Sequence, residues 1–116
     1  MSRIYSVHIN PYKGLAESVK TSNVFHLMDA FDWSYSWYTT SGTASNVTLE
    51  ISNSGVQDDA DIPEASWSRW TSFGATSPSP ASQATTEFPP LGIRWGRFRR
   101  TASGASVVID VNKQVR

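Results

Sequence analysis

Apolar and polar residues alternate with period two in several short stretches of this chain, the pattern of strands with one buried face. The clearest runs from Asn46 to Ser52, where Val47, Leu49 and Ile51 share one face and Thr48, Glu50 and Ser52 the other. Asp32 to Thr40 repeats the pattern with aromatics: Trp33, Tyr35 and Trp37 alternate with Ser34, Ser36 and Tyr38. Ile4 to Ile9 aligns Tyr5, Val7 and Ile9, and Ser106 to Val111 aligns Val107, Ile109 and Val111. Val19 to Met28, Trp67 to Phe73 and Thr85 to Phe88 are further strand candidates, although Leu15 to Lys20 also suits one helical turn.

Turn residues punctuate these runs at Asn10-Pro11-Tyr12-Lys13-Gly14, Ser41-Gly42-Thr43, Asn53-Ser54-Gly55 and Ser103-Gly104. Ile93 to Thr101 is a strand dense in arginine and aromatics, but its parity is broken. Ile93 and Trp95 share one face and Phe98 has the other, so either Phe98 points oppositely or Gly96 marks a bulge that resets the register. Residues 56–66 read as an acidic loop, and residues 74–84, with Pro78 and Pro80 among small residues, as a low-complexity loop. The sum is an all-β chain, an antiparallel β-sandwich or jelly roll of about 7–8 short strands. It reads as a single domain over residues 1–116, with residues 1–24 a possible extended arm.

Composition changes this picture in one respect. Leu, Ile, Val and Phe together make up only about a fifth of the 116 residues, near the level at which disorder sets in. Disorder of that kind also needs a large net charge, and here ten basic and ten acidic residues cancel. Five Trp, four Tyr and five Phe supply the missing apolar bulk. The chain has no cysteine, hence no disulfide framework and no thiolate chemistry. No apolar run approaches the roughly 20 residues of a membrane helix. The N-terminus carries no signal peptide, and the opening Met suggests a complete product made in the cytoplasm. Asn46-Val47-Thr48 is formally a glycosylation acceptor, but without a secretory route it reads as a strand start.

The zero balance conceals a split. Between Thr21 and Ser68 stand seven acids (Asp29, Asp32, Glu50, Asp58, Asp59, Asp61, Glu64) and no Lys or Arg. Between Phe88 and Arg116 stand Arg94, Arg97, Arg99, Arg100, Lys113 and Arg116 against Asp110 alone. Two outcomes are open: neighbouring strands that neutralise each other within one fold, or a dipolar subunit whose acidic loop meets the basic strand of a neighbour.

Catalytic chemistry finds no support. The two histidines, His8 and His26, sit at strand positions with no metal-ligand spacing. Asp58, Asp59 and Asp61 lack the glycine and bidentate glutamate of a helical calcium loop. There is no phosphate-binding glycine loop and no nucleophile elbow. No catalytic residue, metal or cofactor is therefore expected. Arg94, Arg97, Arg99 and Arg100 interleave with Trp95 and Phe98 as single-stranded nucleic-acid sites do, but the neutral balance argues against such a binder. Trp67, Trp70 or Trp95 offers a sugar-stacking surface if the chain is a carbohydrate-binding module, the alternative function.

One stretch carries a resemblance. Gly42-Thr43 precedes Val47-Thr48-Leu49-Glu50-Ile51-Ser52-Asn53-Ser54-Gly55, then Trp67. Later come Gly92-Ile93-Arg94-Trp95-Gly96-Arg97-Phe98-Arg99-Arg100 and Thr101-Ala102-Ser103-Gly104, leading into Ala105 to Val111. This order resembles the small jelly-roll or discoidin-like β-sandwich domains of tailed-phage virion proteins, over about the last two-thirds of the chain. The resemblance implies a virion structural protein of the capsid decoration (cement) type, or a small head or tail accessory subunit. It implies the major capsid protein or other virion subunits as partners, a homo-oligomer (trimer or dimer), and neither nucleic acid nor membrane. The interface candidates are Asp58, Asp59, Asp61, Arg94, Arg97, Arg99, Arg100, Trp67 and Trp70.

Overall fold

The alternating stretches become strands whose apolar rows face one another across two sheets. The computed structural model describes residues 4–16, 19–42, 45–75, 85–87, 92–100 and 105–116. Among them lie β1 (Tyr5–Ile9), β2 (Phe25–His26), β3 (Ala30–Gly42), β4 (Ser45–Ser52), β5 (Ser68–Ala75), β6 (Thr85–Glu87), β7 (Trp95–Arg100) and β8 (Ala105–Val115). One sheet has the order β1-β8-β3-β6 and the other β2-β7-β4-β5, every neighbouring pair being antiparallel. The pairings β1·β8, β2·β7, β3·β6 and β4·β5 nest like a long hairpin rolled onto itself. That nesting is the jelly-roll arrangement, the more specific of the two expected forms.

The expected apolar rows form the core. Val47 and Leu49 are fully buried, as are Ile109 and Val111, with Trp33 and Tyr35 beside them. Phe25, Leu27, Ile93 and Phe98 complete the cluster, and Ile9, Tyr12, Trp37 and Ile51 pack against it. Aromatic rings bridge the sheets, Tyr35 meeting Phe98 edge-on at 5.3 Å and Phe25 lying 6.1 Å from Trp33, while Phe25 and Phe98 pack 5.7 Å apart within one sheet. Each such pair contributes about 0.5–1.5 kcal/mol beyond its area burial, which is how aromatics offset the scarcity of aliphatics.

The structure settles the parity of β7. Its register with β4 runs unbroken from Val47 opposite Arg100 to Ser52 opposite Trp95, so Gly96 is not a bulge. Phe98 faces Leu49 in the core, while Trp95, Arg97 and Arg99 lie on the outer face. Gly96 is there for a different reason: a Cβ at this position would run into the Phe25 ring, within 2.6 Å of Cζ. The irregularities lie elsewhere: at Phe31 and between Thr39 and Gly42 in β3, and at Trp70, the extra residue where β5 passes Leu49 and Glu50 of β4.

Other segments differ from expectation in extent. Val19 to Met28 is an interrupted ladder along β7 rather than one strand. Its bonds run from Arg100 N to Lys20 O through Ser22 N to Phe98 O and, beyond β2, from Leu27 N to Arg94 O. Asn23 breaks the ladder by turning its N–H to Pro11 O. The final strand continues past Val111 to Val115, because polar residues keep the alternation with Lys113 in the core-facing row. Within the stretch read as an arm, β1 lies in the sheet against β8, and Thr21 bridges to Arg99. The acidic loop contains two short 3-10 turns, Asp59–Asp61 and Glu64–Ser66. Most of the low-complexity loop and the Ser103-Gly104 turn lie outside the described residues.

Candidate functional site

The outer face of the β2-β7-β4-β5 sheet is where the charged and aromatic residues singled out in the sequence gather. Strand alternation puts Glu50 and Arg97 opposite each other on that face. Arg97 Nε donates to Glu50 Oε1 at 2.8 Å, and its two terminal nitrogens donate to the Glu64 carboxylate at 2.7 and 3.2 Å. Trp67 lies over the guanidinium, 4.3 Å from ring centroid to Cζ. Arg99 adds a 2.9 Å bond to Glu64. Arg97 is thereby buried although it faces outward, its side chain only 8% exposed.

These contacts fasten the loop that follows β4 across the sheet. At its far end Ser52 and Ser66 hydroxyls meet at 2.8 Å, next to the Glu64 and Trp67 contacts. At its near end the Ser54 carbonyl accepts from Arg94 Nε at 2.8 Å and Trp95 Nε1 at 3.1 Å, while Asn53 Oδ1 accepts from Arg94 N at 3.0 Å. Between the two fastenings Asp58 caps the first 3-10 turn through Ala60 N, and Asp58, Asp59 and Asp61 stand exposed.

The electrostatics follow from this geometry. The hydrogen bonds from Arg97, aided by Arg99, hold the Glu64 carboxyl down at about 2 against its ordinary 4.5. Burial opposes the charge on Arg97, but its bonds to Glu64 and Glu50 outweigh that, and its pKa is raised. A carboxylate held this firmly in the charged form, as that of Glu64 is, makes a poor general acid.

Beside the near fastening an open cleft of about 870 Å³ lies between the loop and the end of β2, lined by His26, Met28, Val56, Gln57, Asp58, Asp59, Arg94 and Trp95. His26 packs on Trp95 at 5.1 Å between ring centroids. Behind it Lys113, buried in the core-facing row of β8, donates from Nζ to Asp29 Oδ1 at 2.7 Å and to His26 O at 2.9 Å. Burial tends to raise the Asp29 pKa, but the hydrogen bond and charge of Lys113 outweigh it, and the net shift is downward.

No family model matches this chain, and no curated protein or solved structure matches it at a significant level. Among the described residues no group of three or more His, Cys, Asp and Glu is placed to hold a metal ion, and no helix is long and apolar enough to cross a membrane.

The nine candidate residues are therefore divided by the fold. Arg97 and Trp67 meet, and Arg99 joins them through Glu64. Arg94 ties down the loop. Arg100 faces the opposite way, into the far end of the sandwich, where it is buried against the Tyr12 ring and bonds to Val19 O at 2.8 Å. Burial there pushes the Tyr12 hydroxyl up to about 12. Phe98 is fully buried and so closed to a stacking ligand, whereas Trp95, 6% exposed, lies at the wall of the cleft. Trp70, at the bulge, is 37% exposed. Sequence reading missed Glu50 and Glu64 as the partners of Arg97, and the Lys113–Asp29 pair. The available signal was the charge split itself: three of the acids in the acidic segment neutralise three bases of the basic segment within the same chain.

Proposed function

We propose that this chain is a structural protein of a tailed-phage virion that decorates or cements the capsid surface, binding the major capsid protein or another virion subunit. The observation that carries the reading is the nested eight-strand order, the architecture of many viral shell subunits as well as lectins. This support is at the level of fold analogy. It is joined by the division of charge. Glu50, Glu64 and Asp29 are neutralised internally, whereas Asp58, Asp59 and Asp61 stand exposed on a loop fastened at both ends, a rigid acidic crest suited to a basic surface.

The test is co-sedimentation of the purified protein with shells assembled from the major capsid protein encoded with it. Binding is expected, weakened by raised salt and by the triple variant D58N/D59N/D61N. Absence of binding to shells and to free capsid subunits would remove the reading. Exposed Trp70 favours the carbohydrate-binding alternative at one position. Saturable quenching of Trp70 fluorescence by a glycan, lost in W70F, would favour that alternative instead.

A further inference from the structure

We infer that β1 is a dimerisation edge, at which a second copy of this chain adds its own β1 antiparallel about a twofold axis through Val7. Among the described residues the sheets end in four edge strands, β1 and β6 at the two edges of one sheet and β2 and β5 at the two edges of the other. Soluble sheet proteins guard such edges by shortness, charge, proline or bulges. β2 spans two residues and β6 three, while β5 carries Arg69 and the bulge at Trp70. β1 has none of these guards beyond its modest length. Its residues Tyr5, Ser6, Val7, His8 and Ile9 include no proline and no Lys, Arg, Asp or Glu, and its register with β8 is unbroken.

The exposure of this edge is that of an incompletely covered core row. Ile9 lies opposite Val111, and Val7 opposite Lys113, so Tyr5, Val7 and Ile9 all belong to the core-facing side. Yet Tyr5, at the start of the row, is 52% exposed, and Val7 and Ile9 are only half-buried. A strand laid along β1 covers this row.

The occupant is a second copy because the strand is complementary to itself. With the axis at Val7, Tyr5 faces the partner's Ile9 and Val7 faces the partner's Val7 on the core side. On the outer side Ser6 faces the partner's His8. Large, β-branched and polar positions all find matching positions, as an isologous contact requires. The result is a continuous sheet running from β8 through the two copies of β1 to the partner's β8. One short strand edge is small beside the roughly 800 Å² per partner of a standard interface, so dissociation in the micromolar range is expected. The dimer is a property of the free chain and does not depend on a capsid.

Sedimentation velocity from about 1 µM to about 1 mM tests it, the range bracketing a weak association. The mass is expected to rise from 12.8 kDa to twice that value. Ser6 and His8 are exposed, so substitutions there leave the fold intact, as circular dichroism checks. S6K/H8K places like charges across the seam and should weaken association at least tenfold. S6K/H8E places opposite charges at the same facing positions and should restore it. A chain monomeric throughout the range, or a dimer indifferent to S6K/H8K, overturns the inference. Neither result bears on shell binding, which is measured separately.

Discussion

The ring of Phe25 occupies the space where a side chain at Gly96 would begin, with Cζ 2.6 Å from the ideal Cβ position. The two residues are register partners between β2 and β7, and the ring reaches from there to Trp33 on the other sheet. Gly96→Ala should therefore act as an overpacking mutation, costing about 1–3 kcal/mol. Urea denaturation measures it. A variant as stable as the parent would show that the Phe25 ring moves aside freely.

Arg97 is the residue on which the loop fastening depends. Its removal strands Glu50, which is only 15% exposed, and unseats Trp67 and Glu64 together. Arg97→Ala should cost about 3 kcal/mol, in the range for breaking a largely buried pair. Arg97→Lys keeps the charge but loses the two-nitrogen grip on Glu64, and should recover only part of that stability. Full recovery with lysine would mean that charge alone holds the loop.

Acid should weaken the same fastening in a defined window. The folded-state pKa of Glu64 is depressed to about 2 from 4.5, so its contribution is fully present above the unfolded value. That contribution is lost as pH falls from about 4.5 through about 2. Asp29, also depressed, acts in the same direction. A carboxyl NMR titration should place the Glu64 midpoint near 2. In thermal melts, E64Q should have a shallower acid limb than the parent; coincident limbs would contradict the assignment.

The buried Lys113 and half-exposed Asp29 should respond unequally. Asp29→Asn leaves an ammonium in the core-facing row with the His26 carbonyl as its remaining strong acceptor, and should destabilise by about 1–3 kcal/mol. Lys113→Met removes the buried charge, keeps the packing volume and leaves Asp29 to water, so its effect should be within about 1 kcal/mol of neutral. Chemical denaturation of both variants checks the order, and a reversed order would refute this account.

The alternation from Asn46 to Ser52 needed no tertiary information: period two with apolar residues on one parity already separates the buried Val47 and Leu49 from Thr48 and Glu50. Trp33 and Tyr35, Ile109 and Val111 were legible in the same way, and with them the all-β class. Long-range pairing was not. The parity of Phe98 depended on its partner Leu49, and the need for glycine at 96 on a ring 71 residues earlier in the chain. The end of β8 was hidden because Lys113 looks like a surface residue until Asp29, from another part of the fold, neutralises it.

The charge split shows the same division most clearly. Sequence alone determined that acids and bases occupy different segments, since that is a property of order along the chain. Only the tertiary structure decided which of them meet. Rolling the strands places Glu50 beside Arg97 and brings the loop back over both, leaving Asp58, Asp59 and Asp61 outside. Coulombic attraction falls with distance in space and is blind to distance along the chain, so no spacing of residues could have revealed that pairing in advance.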